Sequence, residues 1–310
     1  MKNLLYYSIV LMVLSLIQVQ AFAKALVQPW PQMTVYDVKL HEIKTKKHYS
    51  FYEESGTTLV NEREVNFGAL IYKSHRPLNR LVIITPNIRG VTVLERRLAH
   101  YLSKRGFHVV VPILENKLMN RDNFTYEAID NSQRDFLYVT RSLVDHYQKK
   151  MSYDEERIGL AGVSLGGIRS SLLLGSDDIF RAMYISVAGA ELPEIYANSQ
   201  HEFVRELRNR HMQNLEINSV KEYEALLEEN LSLDVDRVIN SPYLDNVAMI
   251  IADDDKIVPS VNQWKLWKTL KEAGHQPKTI IKDCEHIMGA LYLLRYQRNV
   301  YLWLKEKLSV

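Results

Sequence analysis

The stretch Gly162-Val163-Ser164-Leu165-Gly166 sets a serine between two glycines two positions away on either side. That pattern suits a nucleophile on a sharp strand-to-helix turn, where only glycine lets the two backbones approach while the serine takes a strained conformation. A serine hydroxyl attacks a carbonyl well only with a base beside it, and the base needs a carboxylate to orient it. The chain holds ten histidines. Only His275 and His286 lie downstream of the last acidic candidates, the run Asp253-Asp254-Asp255. The chemistry this would support is acyl transfer from a carbonyl substrate to Ser164 and then to water.

The elements around these residues decide which of them can meet. The segment from Val35 to Tyr72 alternates β-branched and aromatic residues and reads as extended, with Gly56 and Asn61 as turn signals. After it, continuous apolar runs alternate with helix-periodic ones. The strands are RLVIITP, FHVVVPIL, RIGLAGVS, FRAMYISVAGA, NVAMIIADD and PKTIIKDC. The helices are VLERRLAHYLSKRG, NSQRDFLYVTRSLVDHYQKK, LGGIRSSLLLGS, VNQWKLWKTLKEAG and a single final helix, GALYLLRYQRNVYLWLKEKL. This grammar predicts an α/β fold with a mostly parallel sheet covered on both faces, whose post-strand loops gather on one edge. Ser164 and His286 both follow strands and fall on that edge, whereas His275 precedes a strand and falls on the other. The three aspartates also follow a strand, and residue type alone leaves them equivalent. Between Glu191 and about residue 245 a charged helical insertion interrupts the alternation and is expected to sit over the ligand edge as a cap. Its Arg205, Arg208 and Arg210 read as a solvated face, and Trp264 and Trp267 as cover for the sheet.

With the motif, the strand-to-helix context and the order Ser164, aspartate, His286, the chain from about Asn66 to the C-terminus, apart from the insertion, resembles the α/β-hydrolase superfamily, in its serine esterase, lipase and dienelactone-hydrolase-like branch. In that family the acid often sits in a Gly-x-x-Asp-x-x-Val-Pro segment. The resemblance therefore implies Asp255 within Ala252-Asp253-Asp254-Asp255-Lys256-Ile257-Val258-Pro259, with Ala252 where the family has glycine. The cysteine nucleophile of the dienelactone type is replaced by Ser164. The family's oxyanion hole implies two N–H donors. One is that of Leu165, and the other comes from the loop TPNIRGVT, at Ile88 or at its neighbour Asn87; this loop lacks the family's frequent His-Gly pair. The activity implied is that of a carboxylic ester hydrolase working through an acyl-enzyme. A serine peptidase, an acyltransferase and a non-catalytic binding protein are the alternatives on the same fold.

Composition bounds the rest. The chain has 310 residues, 46% hydrophobic and 25% charged, enough for a large core. A net charge of +2 gives no basis for nucleic-acid binding. No metal-ligand spacing, phosphate loop or dinucleotide fingerprint occurs, so neither a metal nor a cofactor is expected. The single cysteine, Cys284, allows no disulfide within the chain. Residues 1–23 carry Lys2, an apolar run and Ala21-Phe22-Ala23, the pattern of a cleaved signal peptide. The expected mature chain, residues 24–310, is one α/β-hydrolase domain with its cap, exported to the periplasm or secreted. Its partner is a small-molecule or lipid-like acyl ester. If residues 1–23 remain attached, they would hold the protein near a membrane.

Overall fold

The computed structural model describes residues 30–114, 126–235 and 244–309. The signal-peptide expectation and residues 236–243 of the expected cap lie outside the described residues. A nine-stranded sheet forms the centre, in the order β1-β2-β3-β5-β4-β6-β7-β8-β9. Strands β1 (Met33–Thr45), β2 (Tyr49–Val60) and β3 (Arg63–Ser74) form an antiparallel meander. From β4 (Leu81–Thr85) and β5 (His108–Leu114) through β6 (Ile158–Val163), β7 (Phe180–Ser186), β8 (Val247–Ala252) and β9 (Lys278–Lys282) the pairing is parallel.

The continuous apolar runs are explained by burial on both faces. Along β4, Leu81 and Ile83 enter the cluster formed with α2 (Tyr126–Met151), α3 (Leu165–Ser176) and α7 (Ser260–Glu272). The alternate residues Val82 and Ile84 enter the cluster formed with α1 (Val93–Ser103), α8 (His286–Arg295) and α9 (Gln297–Lys307). The same alternation splits Val247, Met249 and Ile251 of β8 from Ala248, Ile250 and Ala252. Two buried faces leave these strands apolar except for Thr85 at the end of β4.

Two sequence expectations are corrected. Gly56 is not at a turn; it lies inside β2 opposite Phe67, where a Cβ would stand 2.9 Å from the ring. The hairpin turn is made by Asn61 and Glu62 alone, both at positive φ (45° and 69°), the geometry a two-residue hairpin demands. The expected single final helix is divided into α8 and α9 at Tyr296, whose φ of −97° and ψ of 18° leave the helical well. There Tyr296 stacks on Tyr292 at 5.6 Å, with the Lys282 ammonium over both rings.

The insertion between β7 and β8 folds as α4 (Leu192–Asn198), α5 (Glu202–Asn214) and α6 (Val220–Asn230). Its charged sequence hides an apolar underside in which Leu192, Ile195, Tyr196, Val204, Leu207, Tyr223 and Leu227 are buried. Buried Asp234 joins its two ends by accepting the N–H groups of Glu191, Leu192 and Val235. Asp130 of α2 ties the returning chain to the body through the N–H groups of Ser232 and Leu233, both at 2.9 Å.

Candidate active site

Ser164 occupies the turn between β6 and α3 with φ 56° and ψ −127°. For a residue with a Cβ this conformation costs about 1–3 kcal/mol, so its surroundings must hold it. They do so by crowding. A Cβ on Gly166 would stand 2.1 Å from the Thr85 carbonyl oxygen, and one on Gly162 would stand 2.5 Å from the Gly166 backbone. Thr85 donates its hydroxyl hydrogen to the Gly166 carbonyl at 2.5 Å, and the Ser164 N–H donates to the Ser186 carbonyl at 3.0 Å. The strand ends of β4, β6 and β7 thus clamp the turn. At the start of α3 the Leu165 N–H has no preceding helical carbonyl, and the positive end of the helix dipole lies behind it.

The aspartate run divides sharply. Asp253 and Asp254 are exposed, and Asp253 accepts a hydrogen bond from the Trp264 indole at 3.1 Å. The Asp255 side chain is fully buried. Its Oδ1 accepts the N–H groups of Ile257 at 2.8 Å and Val258 at 3.1 Å. Its Oδ2 accepts from Gln263 Nε2 at 2.8 Å and lies 2.6 Å from His286 Nδ1. Two backbone amides and a carboxamide already donate to this carboxylate, so it acts as an acceptor throughout and Nδ1 carries the imidazole proton. The lone pair of His286 is then at Nε2. His286 and Ser164 line the same cavity, of about 450 Å³. His275 sits at the opposite end of the strands, 3.2 Å from Asp245.

Gln263 escaped the sequence reading. It is completely buried, accepts the Ala252 N–H at 3.0 Å, and donates to both Asp255 and the Val258 carbonyl. It therefore locks the acid loop from below. No motif marks it, because a glutamine on an amphipathic helix reads as surface.

The loop after β4 is held by another residue not singled out, Glu95 of α1. It is 1% exposed. One oxygen accepts from the Asn87 N–H at 3.4 Å and from Asn87 Nδ2 at 2.8 Å; the other accepts from the Thr92 N–H at 2.7 Å. Thr92-x-x-Glu95 is a capping box, and that spacing was the signal available for it. The Asn87 amide is thereby committed to Glu95. The Arg89 N–H donates to Asn87 Oδ1 at 2.8 Å and the Gly90 N–H to the Asn87 carbonyl at 2.9 Å. Ile88 lines the cavity beside Ser164 and Leu165.

A sequence model of the prolyl oligopeptidase family matches residues 96–310. The chain belongs to the prolyl oligopeptidase family. It is accordingly a serine hydrolase of the esterase and peptidase kind, with the α/β-hydrolase fold. The match spans every element from within α1 to the C-terminus and so includes Ser164, Asp255 and His286. No curated protein sequence matches this family member significantly. Solved structures that share its fold include acetyl xylan esterase 1 from Thermoanaerobacterium sp. JW/SL YS485, at 16% identity and a TM-score of 0.62, over 92% of this chain and 93% of that one. A cold-adapted esterase from an Arctic intertidal metagenomic library aligns at 12% identity and a TM-score of 0.56, over 87% and 99%. Pyrococcus horikoshii acylaminoacyl peptidase aligns at 12% identity and a TM-score of 0.57, over 92% of this chain but 57% of the peptidase.

The cavity of this prolyl oligopeptidase family member is mostly apolar. The cap contributes Leu192, Ile195, Tyr196 and Val204, the acid loop Ile257 and Val258, and α8 Ile287 and Leu291. At its rim, Val93 and Ile287 remain 65% and 67% exposed. The cap's arginines do not enter it. Arg208 donates to the Ala197 carbonyl and Arg210 pairs with Glu206, while Arg205 lies on the exposed face. Cys284 is half-buried behind the acid loop, where burial and Asp255 push its thiol pKa up. Among the described residues no group of three or more His, Cys, Asp or Glu side chains gathers to hold a metal ion. Also among them, no helix is long and apolar enough to cross a membrane.

Proposed function

We propose that this serine hydrolase cleaves carboxylic esters with an apolar acyl part, using Ser164 as nucleophile, His286 as base and Asp255 as the group that orients it. One observation carries the reading: Ser164 on its strained turn and an imidazole held by a buried carboxylate face the same apolar cavity. In the first step Ser164 Oγ bonds to the acyl carbon while His286 Nε2 takes its proton. The carbonyl electrons move to oxygen, which the N–H groups of Leu165 and Ile88 stabilise. Collapse of the tetrahedral intermediate breaks the ester bond, and His286 returns its proton to the leaving alcohol. Water then bonds to the acyl carbon while giving a proton to the same nitrogen; the bond from that carbon to Ser164 Oγ breaks, Oγ takes the proton back from His286, and the acid leaves. Asp255 keeps the imidazole in the tautomer this sequence requires.

An ester substrate is favoured over a peptide by the lining. It holds apolar side chains from α1, β6, α3, α4, α5, α8 and the acid loop, and among the described residues no carboxylate that would anchor an α-ammonium group. Export to the periplasm or the outside is part of the proposal and rests on the N-terminal residues, as does any membrane proximity. The test is a substrate panel: p-nitrophenyl esters of increasing acyl length beside aminoacyl and acylaminoacyl p-nitroanilides. The expected result is ester turnover that rises with acyl length while the chain still fits the cavity, and no measurable anilide turnover. Efficient anilide cleavage with weak ester cleavage would assign the site to a peptidase.

A further inference from the structure

The cavity is mostly apolar, yet its lining includes one permanent cation, Arg89, and two imidazoles. Arg89, His201 and His286 face it, and among the described residues no aspartate or glutamate does. Arg89 makes no salt bridge with any described residue, although it belongs to a tightly fixed turn. Arg89 is exposed where it lines the cavity, on a loop anchored by buried Glu95.

His201 lines the same cavity from the link between α4 and α5. The Ser199 hydroxyl donates to the Ile257 carbonyl at 2.7 Å, and the Gln200 N–H to the Lys256 carbonyl at 2.8 Å. These bonds fix the link against the acid loop, and the His201 N–H closes it onto Ser199 Oγ at 3.2 Å. His201 Nδ1 is buried and has no hydrogen-bond partner among the described residues. Burial, then Arg89, then His286 hold its pKa below the ordinary value, and exposed Glu202 opposes them more weakly. All three groups line the one cavity, and the imidazole feels both the guanidinium and the proposed base.

We propose that Arg89 and His201 form an anion subsite beside His286, so that the preferred ester carries a carboxylate on its leaving alcohol. This rests on the ester-hydrolase reading. The subsite adjoins the imidazole that protonates the leaving oxygen, which sets the anion on the alcohol rather than the acyl side. One permanent cation matches a single negative charge. An imidazole N–H can add a hydrogen bond to the same carboxylate. Apolar walls strengthen the attraction relative to an open surface.

A matched pair of substrates tests this: 4-carboxyphenyl butyrate and its uncharged twin, 4-carbamoylphenyl butyrate. At low ionic strength the wild-type kcat/KM ratio of charged to uncharged ester should exceed one by about fivefold or more. It should fall toward one as salt is raised. Arg89→Gln should bring the ratio near one, Arg89→Glu below one, and Arg89→Lys should retain most of the preference. A wild-type ratio of one or less, or a ratio that Arg89→Gln leaves unchanged, would overturn the subsite while ester hydrolysis stood. Folded protein that cleaves neither ester would overturn the hydrolase reading and the subsite with it.

Discussion

Ser164→Ala, His286→Ala and the double variant are each expected to lose kcat by a similar factor, on the order of 10^6. The losses should not multiply. Once the serine is gone, the base has no nucleophile to serve; once the base is gone, the hydroxyl keeps its proton. Asp255→Asn should lose less, about 10^4-fold, because the imidazole remains present but is no longer held in the productive tautomer. What survives in every variant, on the proposed mechanism, is the contribution of the Leu165 and Ile88 amides and of the cavity. Stopped assays on all four proteins, with circular dichroism and melting curves beside them, check the pattern. Multiplicative losses in the double variant would mean that Ser164 and His286 act independently, which the account does not allow.

Gly166→Ala is expected to be the most damaging single methyl group in the molecule. Its Cβ would meet the Thr85 carbonyl oxygen at 2.1 Å, the Thr85 carbonyl carbon at 2.9 Å and the Pro86 carbonyl oxygen at 2.9 Å. All are backbone atoms of a central strand and of the loop leading to Ile88, so no side chain can swing aside. Overpacking against a yielding neighbour costs about 1–3 kcal/mol, and this site belongs at or above the top of that range. For a domain of this size about 3 kcal/mol corresponds to a fall in Tm of roughly 6–12 °C. Gly274→Ala is the control: nothing lies within 4 Å of the added Cβ, and only its φ of +89° is strained. That strain is worth about 1–2 kcal/mol. Thermal unfolding of both variants orders them. Gly166→Ala should melt lower and also lose activity, since the shift propagates to the oxyanion loop.

The parts of this molecule that were legible in sequence are those written in residue type along a single segment. Strands buried on both faces appear as unbroken apolar runs, as Leu81 to Ile84 do, and their alternation with helices sets which loops share an edge. That topology was enough to bring His286 rather than His275 toward Ser164. Asp255 needed more, because its two neighbours have the same side chain. Burial and the amides of Ile257 and Val258 distinguish it, and neither is visible in residue type. Gln263 and Glu95 were missed because each acts through bonds to another segment. Only Glu95 left a local trace, the spacing from Thr92. That Arg89 and His201 line one cavity depends on how the cap docks, through Asp234, Asp130 and the bonds from Ser199 and Gln200. Such long-range bonds have no periodicity to read. Gly56 misled for a simpler reason: a glycine that makes room for a ring in a strand looks the same as one in a turn.

The most direct measurement is the site of covalent modification by a fluorophosphonate. The probe mimics the tetrahedral intermediate and reacts only with a serine activated by its base. Wild-type protein should gain one adduct, mapped by peptide mass spectrometry to Ser164. His286→Ala should label far more slowly, and Ser164→Ala not at all. Correctly folded wild-type protein that takes up no label, or takes it up at another serine, would contradict the account at its centre.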